Sequence, residues 1–371
     1  MNTVIDRPPL LRRLRPLVSG FDLPLLGGLL VLVGIGALVL YSALQGQGIS
    51  FSDQLRNIGI AWLVLFAVAQ VPPQRLMQIA PPLYLFGVAL LVATALFGDV
   101  HKGARRWLNV GVVIQPSEIM KIAMPLMLAW YFQKREGLIT LRDFGVAALL
   151  LAVPVALIMK QPDLGTAMLV LSTGFFVIFF AGLSWRVLAL LALLAAGAAP
   201  VLWHFMHDYQ RQRVLMLLDP QADPLGTGFN IIQSMIAIGS GGVWGQGYLH
   251  GTQAHLNFIP ESHTDFVFAV LAEEWGLVGN LVLIASYLFF IMRGLYIASG
   301  APTLFSRLLA GSITMIFFTY AFVNMGMVSG ILPVVGVPLP FVSYGGTALV
   351  TLMLGSGILL SIARSKRLVQ S

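Results

Sequence analysis

Cysteine is absent from the 371 residues, which removes disulfide frameworks and thiolate metal sites and leaves the redox compartment open. Charge is scarce as well. Only 10% of residues are charged against 58% hydrophobic, where a soluble domain would carry charge on roughly a quarter of its positions. A water-soluble domain of this length is therefore excluded. Also missing are an internal repeat and a matched pair of Gly/Pro-broken spans in two halves, the marks of a transporter built from repeats, which weakens a transport reading without removing it. The net charge of +7 comes with no basic face or tail, so nucleic acid is not a partner this composition points to. Arg7, Arg12, Arg13 and Arg15 precede an apolar run as in a signal peptide, but the run is too long and lacks a small-residue cleavage pattern. It reads as an uncleaved first span.

What is present is hydrocarbon. About 20 apolar residues cross a bilayer, and ten such runs lie at approximately 22–43, 57–71, 80–98, 117–132, 144–160, 165–183, 186–204, 266–292, 304–332 and 341–363. The expected fold is an all-α integral membrane protein, one polytopic domain over 1–371. Its cytoplasmic N-terminus is 1–21, a large extracytoplasmic loop at 205–265 joins helices 7 and 8, and 364–371 is a cytoplasmic C-terminus. This orientation puts fourteen Lys and Arg inside and seven outside, with Lys121 left within a span, as the positive-inside rule requires. The seven are Arg56, Lys102, Arg105, Arg106, Lys160, Arg211 and Arg213, and all six histidines also lie at or near the outer side. Any chemistry is expected there.

Seven of the 15 acidic residues fall between His207 and Gly279: Asp208, Asp219, Asp223, Glu261, Asp265, Glu273 and Glu274. Asp265 has two readings. Ser262-His263-Thr264-Asp265 ahead of an apolar run fits a serine-x-x-acid helix cap. Alternatively, at 100° per residue Ala269, Ala272, Gly276 and Gly279 align with Asp265 as a small-residue seam that turns it into the bundle. Glu273 and Glu274 point elsewhere, so the three carboxylates share a small site only if the helix is broken. His263 is an ordinary loop histidine on its own terms.

Span four opens Gln115-Pro116-Ser117-Glu118 and places Glu118 and Lys121 three apart on one face, either a structural ion pair or a functional one. Asp163 precedes span six as an N-cap candidate. Even-numbered spans begin at the outer face, so their positive dipole ends would welcome an anion such as a diphosphate. The glycines of the outer loop, Gly226 to Gly247, fit a phosphate nest or simply flexible turns. Ile231, Ile232, Met235, Ile236 and Ile238 suggest an amphipathic helix on the membrane surface. The Pro333 to Thr347 segment is rigid and closely approachable, suiting a ligand wall or tight packing.

Gln115-Pro116-Ser117-Glu118, Gln161-Pro162-Asp163-Leu164-Gly165-Thr166, Pro260-Glu261-Ser262-His263-Thr264-Asp265-Phe266 and Ser343-Tyr344-Gly345-Gly346 together resemble the SEDS family (shape, elongation, division and sporulation) over nearly the whole chain, with no departure at a motif position. Asp208-Tyr209-Gln210-Arg211-Gln212-Arg213-Val214 and Met327-Val328-Ser329-Gly330-Ile331-Leu332-Pro333 are similar to its elongation branch rather than its division branch. The resemblance implies a ten-helix peptidoglycan glycosyltransferase of the bacterial inner membrane that polymerises lipid II at the outer face. It also implies a class B penicillin-binding protein and other elongation-complex membrane proteins as partners. Asp265 takes the place of the family's catalytic aspartate, and Glu118 and Lys121 that of its polar pair. A divalent cation, Mg or Mn, is implied too, although no metal-ligand spacing is visible.

The residues permit that chemistry. A sugar linked to a diphosphate carries its own leaving group, so one carboxylate to accept the acceptor hydroxyl's proton and cations to hold the departing charge suffice. Asp265 is the expected general base. Lys102, Arg105, Arg106, Lys121, Arg211 and Arg213 are candidates for the diphosphate, with Asp163, Glu261, His263 and Ser343 as further contacts to diphosphate or sugar. A lipid II flippase would need polar groups at mid-membrane and gating from both sides, and a scaffold for a penicillin-binding protein would make the outer carboxylates dispensable.

Overall fold

A computed structural model describes residues 20–45, 48–101, 104–109, 113–206, 208–224, 228–255, 258–259 and 261–370. The first half is built from α1 (Leu23–Ala43), α2 (Phe51–Ala69), α3 (Pro73–Phe97), strands β1 (Asp99–His101), β2 (Ala104–Asn109) and β3 (Val113–Ile114), α4 (Pro116–Lys134), α5 (Leu141–Lys160) and α6 (Leu164–Phe180). Then come α7 (Trp185–Phe205), α8 (Asp208–Leu218), α9 (Phe229–Gly241), α10 (Thr252–His255), α11 (Val267–Ser299), α12 (Leu304–Val328) and α13 (Thr347–Gln370). Each apolar run forms a helix, one of them broken. Among the described residues, six helices are long and apolar enough to cross a membrane by themselves: α1, α3, α5, α11, α12 and α13. Large apolar side chains such as Leu30, Leu85, Leu149 and Leu193 stand exposed on the bundle, the inverse of a soluble surface and suited to lipid. α4 is more polar because it is interior, with Ser117 and Lys121 buried. It packs against α3, α6 and α12, and α12 in turn contacts α6, α11 and α13.

Several boundaries differ from expectation. α2 starts at Phe51 rather than 57 because Ser50 caps it, its hydroxyl accepting from Ser52 N at 3.3 Å. α3 starts at Pro73 rather than 80, with proline at a position where a missing N–H costs nothing. α13 begins only at Thr347, since the residues before it form a non-helical strap. Between α3 and α4 the expected plain loop is an antiparallel sheet in the order β1-β2-β3, with Leu108 paired to Ile114.

The largest departure is inside α11. Gly276 has φ 62° and ψ −157°, a conformation essentially reserved for glycine. A helix broken in a membrane must re-pair its backbone, and the 242–247 segment does this. Gln246 N and Gly247 N donate to the carbonyls of Glu273 and Glu274 at 2.9 and 3.1 Å, while Leu277 N and Val278 N donate to Gly242 O and Val243 O at 2.9 and 3.1 Å. The glycines around Gly242 thus clamp the break. α9, the helix expected at the membrane surface, keeps Met235 and Ile236 exposed but also has a protein-facing side. It packs against α11, with Ile231, Ser234, Ala237 and Gly241 buried, Gly241 against the Ala272 carbonyl, and the Ser234 hydroxyl donating to Val328 O at 2.9 Å.

Candidate active site

Asp265 lies in the turn before α11, outside the helix. The helix begins at Val267 after Phe266, and no side-chain hydrogen bond caps it, so the capping pattern is present in sequence but unused. Instead Glu261 sits at φ 58° and its carbonyl accepts from Thr264 N at 3.0 Å and Phe266 N at 3.3 Å. Left-handed backbone is uncommon outside glycine and gathers at functional sites. The helical phase drawn from Asp265 does not apply to it, because the helix starts two residues later, but all four seam residues, Ala269, Ala272, Gly276 and Gly279, are buried.

The strap from Pro333 to Gly346 grips this turn. Ser343 Oγ donates to Thr264 O at 2.6 Å and accepts from Leu339 N at 2.7 Å, and Tyr344 N donates to His263 O at 2.8 Å. At Gly336 (φ 69°) a side chain would start 3.3 Å from Asp265 Oδ2, so this glycine leaves room for the carboxylate. Asn324 of α12 donates to Asp265 O at 2.8 Å and to Val337 O at 2.7 Å. Asp265 itself is half-buried, and its backbone carbonyl is anchored by Asn324.

A second cluster forms at the start of α4. Lys121 Nζ donates to Glu118 Oε1 at 2.5 Å and to the Tyr320 hydroxyl of α12. Glu118 and Lys121 side chains are 13% and 4% exposed, so the pair is interior and the ammonium is engaged twice. At the α5–α6 corner Asp163 is the N-cap of α6, accepting from Thr166 N at 3.2 Å. It also meets Gln115 Nε2 at 3.4 Å and Arg106 Nε at 3.8 Å. Arg106 Nη2 donates to Pro162 O at 2.6 Å, and its side chain is 36% exposed. The two clusters share a wall, because a side chain at Gly165 would start 2.5 Å from the Val335 carbonyl of the strap.

Other candidates are placed elsewhere or do other work. The Arg211 guanidinium donates to the Trp203 and His204 carbonyls at 3.0 and 2.8 Å, closing the end of α7, and Arg213 lies in α8. Ser343 is bonded to backbone on both sides. Glu261 is exposed, with Oε2 accepting from Thr264 Oγ1 at 3.0 Å. Burial holds the His263 imidazole below its ordinary value, opposed by the Glu261 charge, so it is neutral at pH 7 and brings no charge to a diphosphate. Lys102 lies outside the described residues, as does the Arg105 side chain. Glu273 and Glu274 serve the α11 break. Glu273 Oε1 accepts from Thr252 Oγ1 at 3.0 Å and Gln253 N at 2.9 Å, and Glu274 accepts from the Ser42 hydroxyl. Among the described residues, no group of three or more His, Cys, Asp or Glu is placed to hold a metal ion.

Tyr320 and Asn324 were not singled out from sequence. Both lie in an apolar run and are fully buried. The signal available was their spacing: two polar residues one turn apart in a membrane helix, where polar groups are costly and normally partnered.

The fold and this site define a polytopic helical membrane protein with a half-buried carboxylate, held by backbone contacts, at the mouth of a broken helix. More particularly, the family model of FtsW/RodA/SpoVE cell cycle proteins matches residues 21–368, and the chain belongs to that family. It is 53% identical over 344 residues to the peptidoglycan glycosyltransferase MrdB of Escherichia coli K12, covering 92% of this chain and 93% of that one. It is 32% identical to the peptidoglycan glycosyltransferase RodA of Treponema pallidum, covering 93% and 98%. A chain in a solved peptidoglycan synthase complex, described as coordinating polymerization and crosslinking, superposes with a TM-score of 0.80 at 35% identity, covering 94% and 99%. The rod shape determining protein RodA of Thermus thermophilus superposes with a TM-score of 0.70 at 29% identity, covering 94% and 98%.

Proposed function

We infer that this chain is a peptidoglycan glycosyltransferase that polymerises lipid II into glycan strands at the outer face of the bacterial inner membrane, for elongation and rod shape. The observation that carries the activity is the 53% identity, over 92% of the chain, to a protein named for it. Both termini are cytoplasmic in this reading, which places the Asp265 turn, the strap and Arg106 outside. Asp265 takes the proton of the acceptor sugar hydroxyl as its oxygen bonds to the anomeric carbon and the bond to the polyprenyl diphosphate breaks with inversion. Among the described cations we assign the departing charge to Arg106, which is 36% exposed even though it also donates to Pro162 O and lies beside Asp163, whereas the Lys121 side chain is only 4% exposed.

A divalent cation, Mg or Mn, would be held largely by the substrate's diphosphate, where it would neutralise the departing charge. Such ions bind one or two carboxylates together with phosphate oxygens, and no three-ligand group exists among the described residues. A class B penicillin-binding protein is the partner that would crosslink the strands, in the company of other elongation-complex membrane proteins. The likeness to a chain from a complex that joins polymerization with crosslinking supports it. The test is purified full-length protein in detergent with labelled lipid II. Glycan strands without any partner enzyme are expected. Binding without strands would leave a flippase or a scaffold and overturn the reading.

A further inference from the structure

We propose that Asn324 is the positioning residue of Asp265, and that the Tyr320–Asn324 face of α12 joins the α4 polar pair to the site; this rests on Asp265 being the base. Asn324 is fully buried, one turn from the end of α12. Its side-chain nitrogen makes two hydrogen bonds, at 2.8 Å to Asp265 O and 2.7 Å to Val337 O. The two acceptors belong to separate segments, the turn before α11 and the strap, and neither segment is fixed by a helix at that point. Val337 follows Gly336, whose missing side chain leaves the space beside Asp265 Oδ2. One amide therefore sets both the backbone that carries the carboxylate and the wall that faces it. A terminal amide has two N–H donors and can serve two carbonyls at once, whereas a hydroxyl has one and an ionised carboxylate none.

One turn earlier on the same face, Tyr320 accepts from Lys121, which also holds Glu118. A disturbance of the α4 pair is thus transmitted along α12 to the Asp265 turn. Asn324 touches backbone and not the carboxylate, so its loss should displace the base without removing a substrate contact.

The experiment is steady-state polymerisation of labelled lipid II by purified full-length Asn324→Ala and Asn324→Gln, with lipid II binding and thermal unfolding measured on the same samples. For Asn324→Ala, kcat is expected to fall about 10- to 100-fold, the loss typical of a slightly misplaced catalytic group, with KM and lipid II binding within about twofold of the parent and a cooperative melt retained. Asn324→Gln keeps both donors at a different reach and should fall between parent and alanine. On an Asp265→Asn background the alanine change should lower the residual rate no further, because it acts only through the base. Parent-like kcat in a folded variant, or a loss of lipid II binding that matches the loss of rate, overturns the proposal. Should Asn324→Ala not fold, the glutamine variant carries the same comparison. An inert parent protein would refute the glycosyltransferase reading itself, a different result from active parent and equally active variants.

Discussion

Replacing Glu118 with alanine leaves the Lys121 ammonium inside the bundle without its carboxylate. The pair lies at 2.5 Å, and the lysine side chain is only 4% exposed. Removing one partner from a buried ion pair costs about 3 to 5 kcal/mol, because the remaining charge is uncompensated. Here Tyr320 still accepts a hydrogen bond from Nζ, and a bond to a charged group recovers part of that penalty, which brings the expected loss to the lower end, about 3 kcal/mol. The assay is thermal unfolding of the purified variant in detergent, read beside strand formation from lipid II. Both folded yield and rate should fall. The companion is the double variant Glu118→Leu, Lys121→Met. Exchanging a whole buried pair for apolar residues of similar size is often neutral, so stability should return except for the cost of about 1 to 3 kcal/mol of the buried Tyr320 hydroxyl left without its partner. The rate should not, since Tyr320 has lost the ammonium that ties α12 to α4. Parent-like stability in Glu118→Ala would refute the placement of the pair as buried.

Two further outcomes test other parts of the structure. Gly276→Ala should destabilise by about 1 to 3 kcal/mol for the glycine-only backbone, with added cost from a methyl that would start 2.7 Å from Val243 O. Gly34→Ala, with open space around it, should be neutral or slightly stabilising, so equal effects in thermal unfolding would contradict the clamp. His263 has a depressed affinity for protons in the folded protein, so the unfolded chain binds a proton more readily. Stability should therefore be lost as pH falls through about 6.5 towards the folded value, and regained as pH rises. Melting curves of His263→Gln should be flatter across that range; identical pH dependence would contradict the assignment.

Much of the architecture was legible in advance, because a membrane span is written in length and apolarity, and each of the ten runs forms a helix. Boundaries were less so. Asp53, Gln54 and Arg56 look like a loop, yet a helix started by Ser50 can extend beyond the hydrocarbon. The break at Gly276 was hidden for a physical reason. A glycine among alanines in an apolar run looks like a packing seam, and what makes it a break is the 242–247 segment, some thirty residues away in sequence, that accepts the freed backbone. The site shows the same division. Asp265, Glu118 and Lys121 stand out as rare charges beside a membrane, and the acid-and-lysine spacing predicted their contact. Tyr320 and Asn324 were missed because one tyrosine and one asparagine in a hydrophobic stretch acquire meaning only when a second helix supplies their partners. The Ser262 to Asp265 pattern misled in the opposite direction, since a capping motif records what a helix start can use and not what it does use.

The measurement that bears most directly on the account is polymerisation by Asp265→Asn. Asparagine is nearly isosteric and can occupy the same turn, and the hydrogen bond from Asn324 goes to the residue 265 carbonyl, which the substitution leaves in place. What is lost is the proton acceptor. With variants matched for thermal stability and lipid II binding, strand formation from labelled lipid II should fall by at least the roughly 10² to 10⁴ that a positioned base contributes, and Asp265→Ala should fall equally. Strand formation by Asp265→Asn at a rate near that of the parent would contradict the assignment of Asp265 as the base.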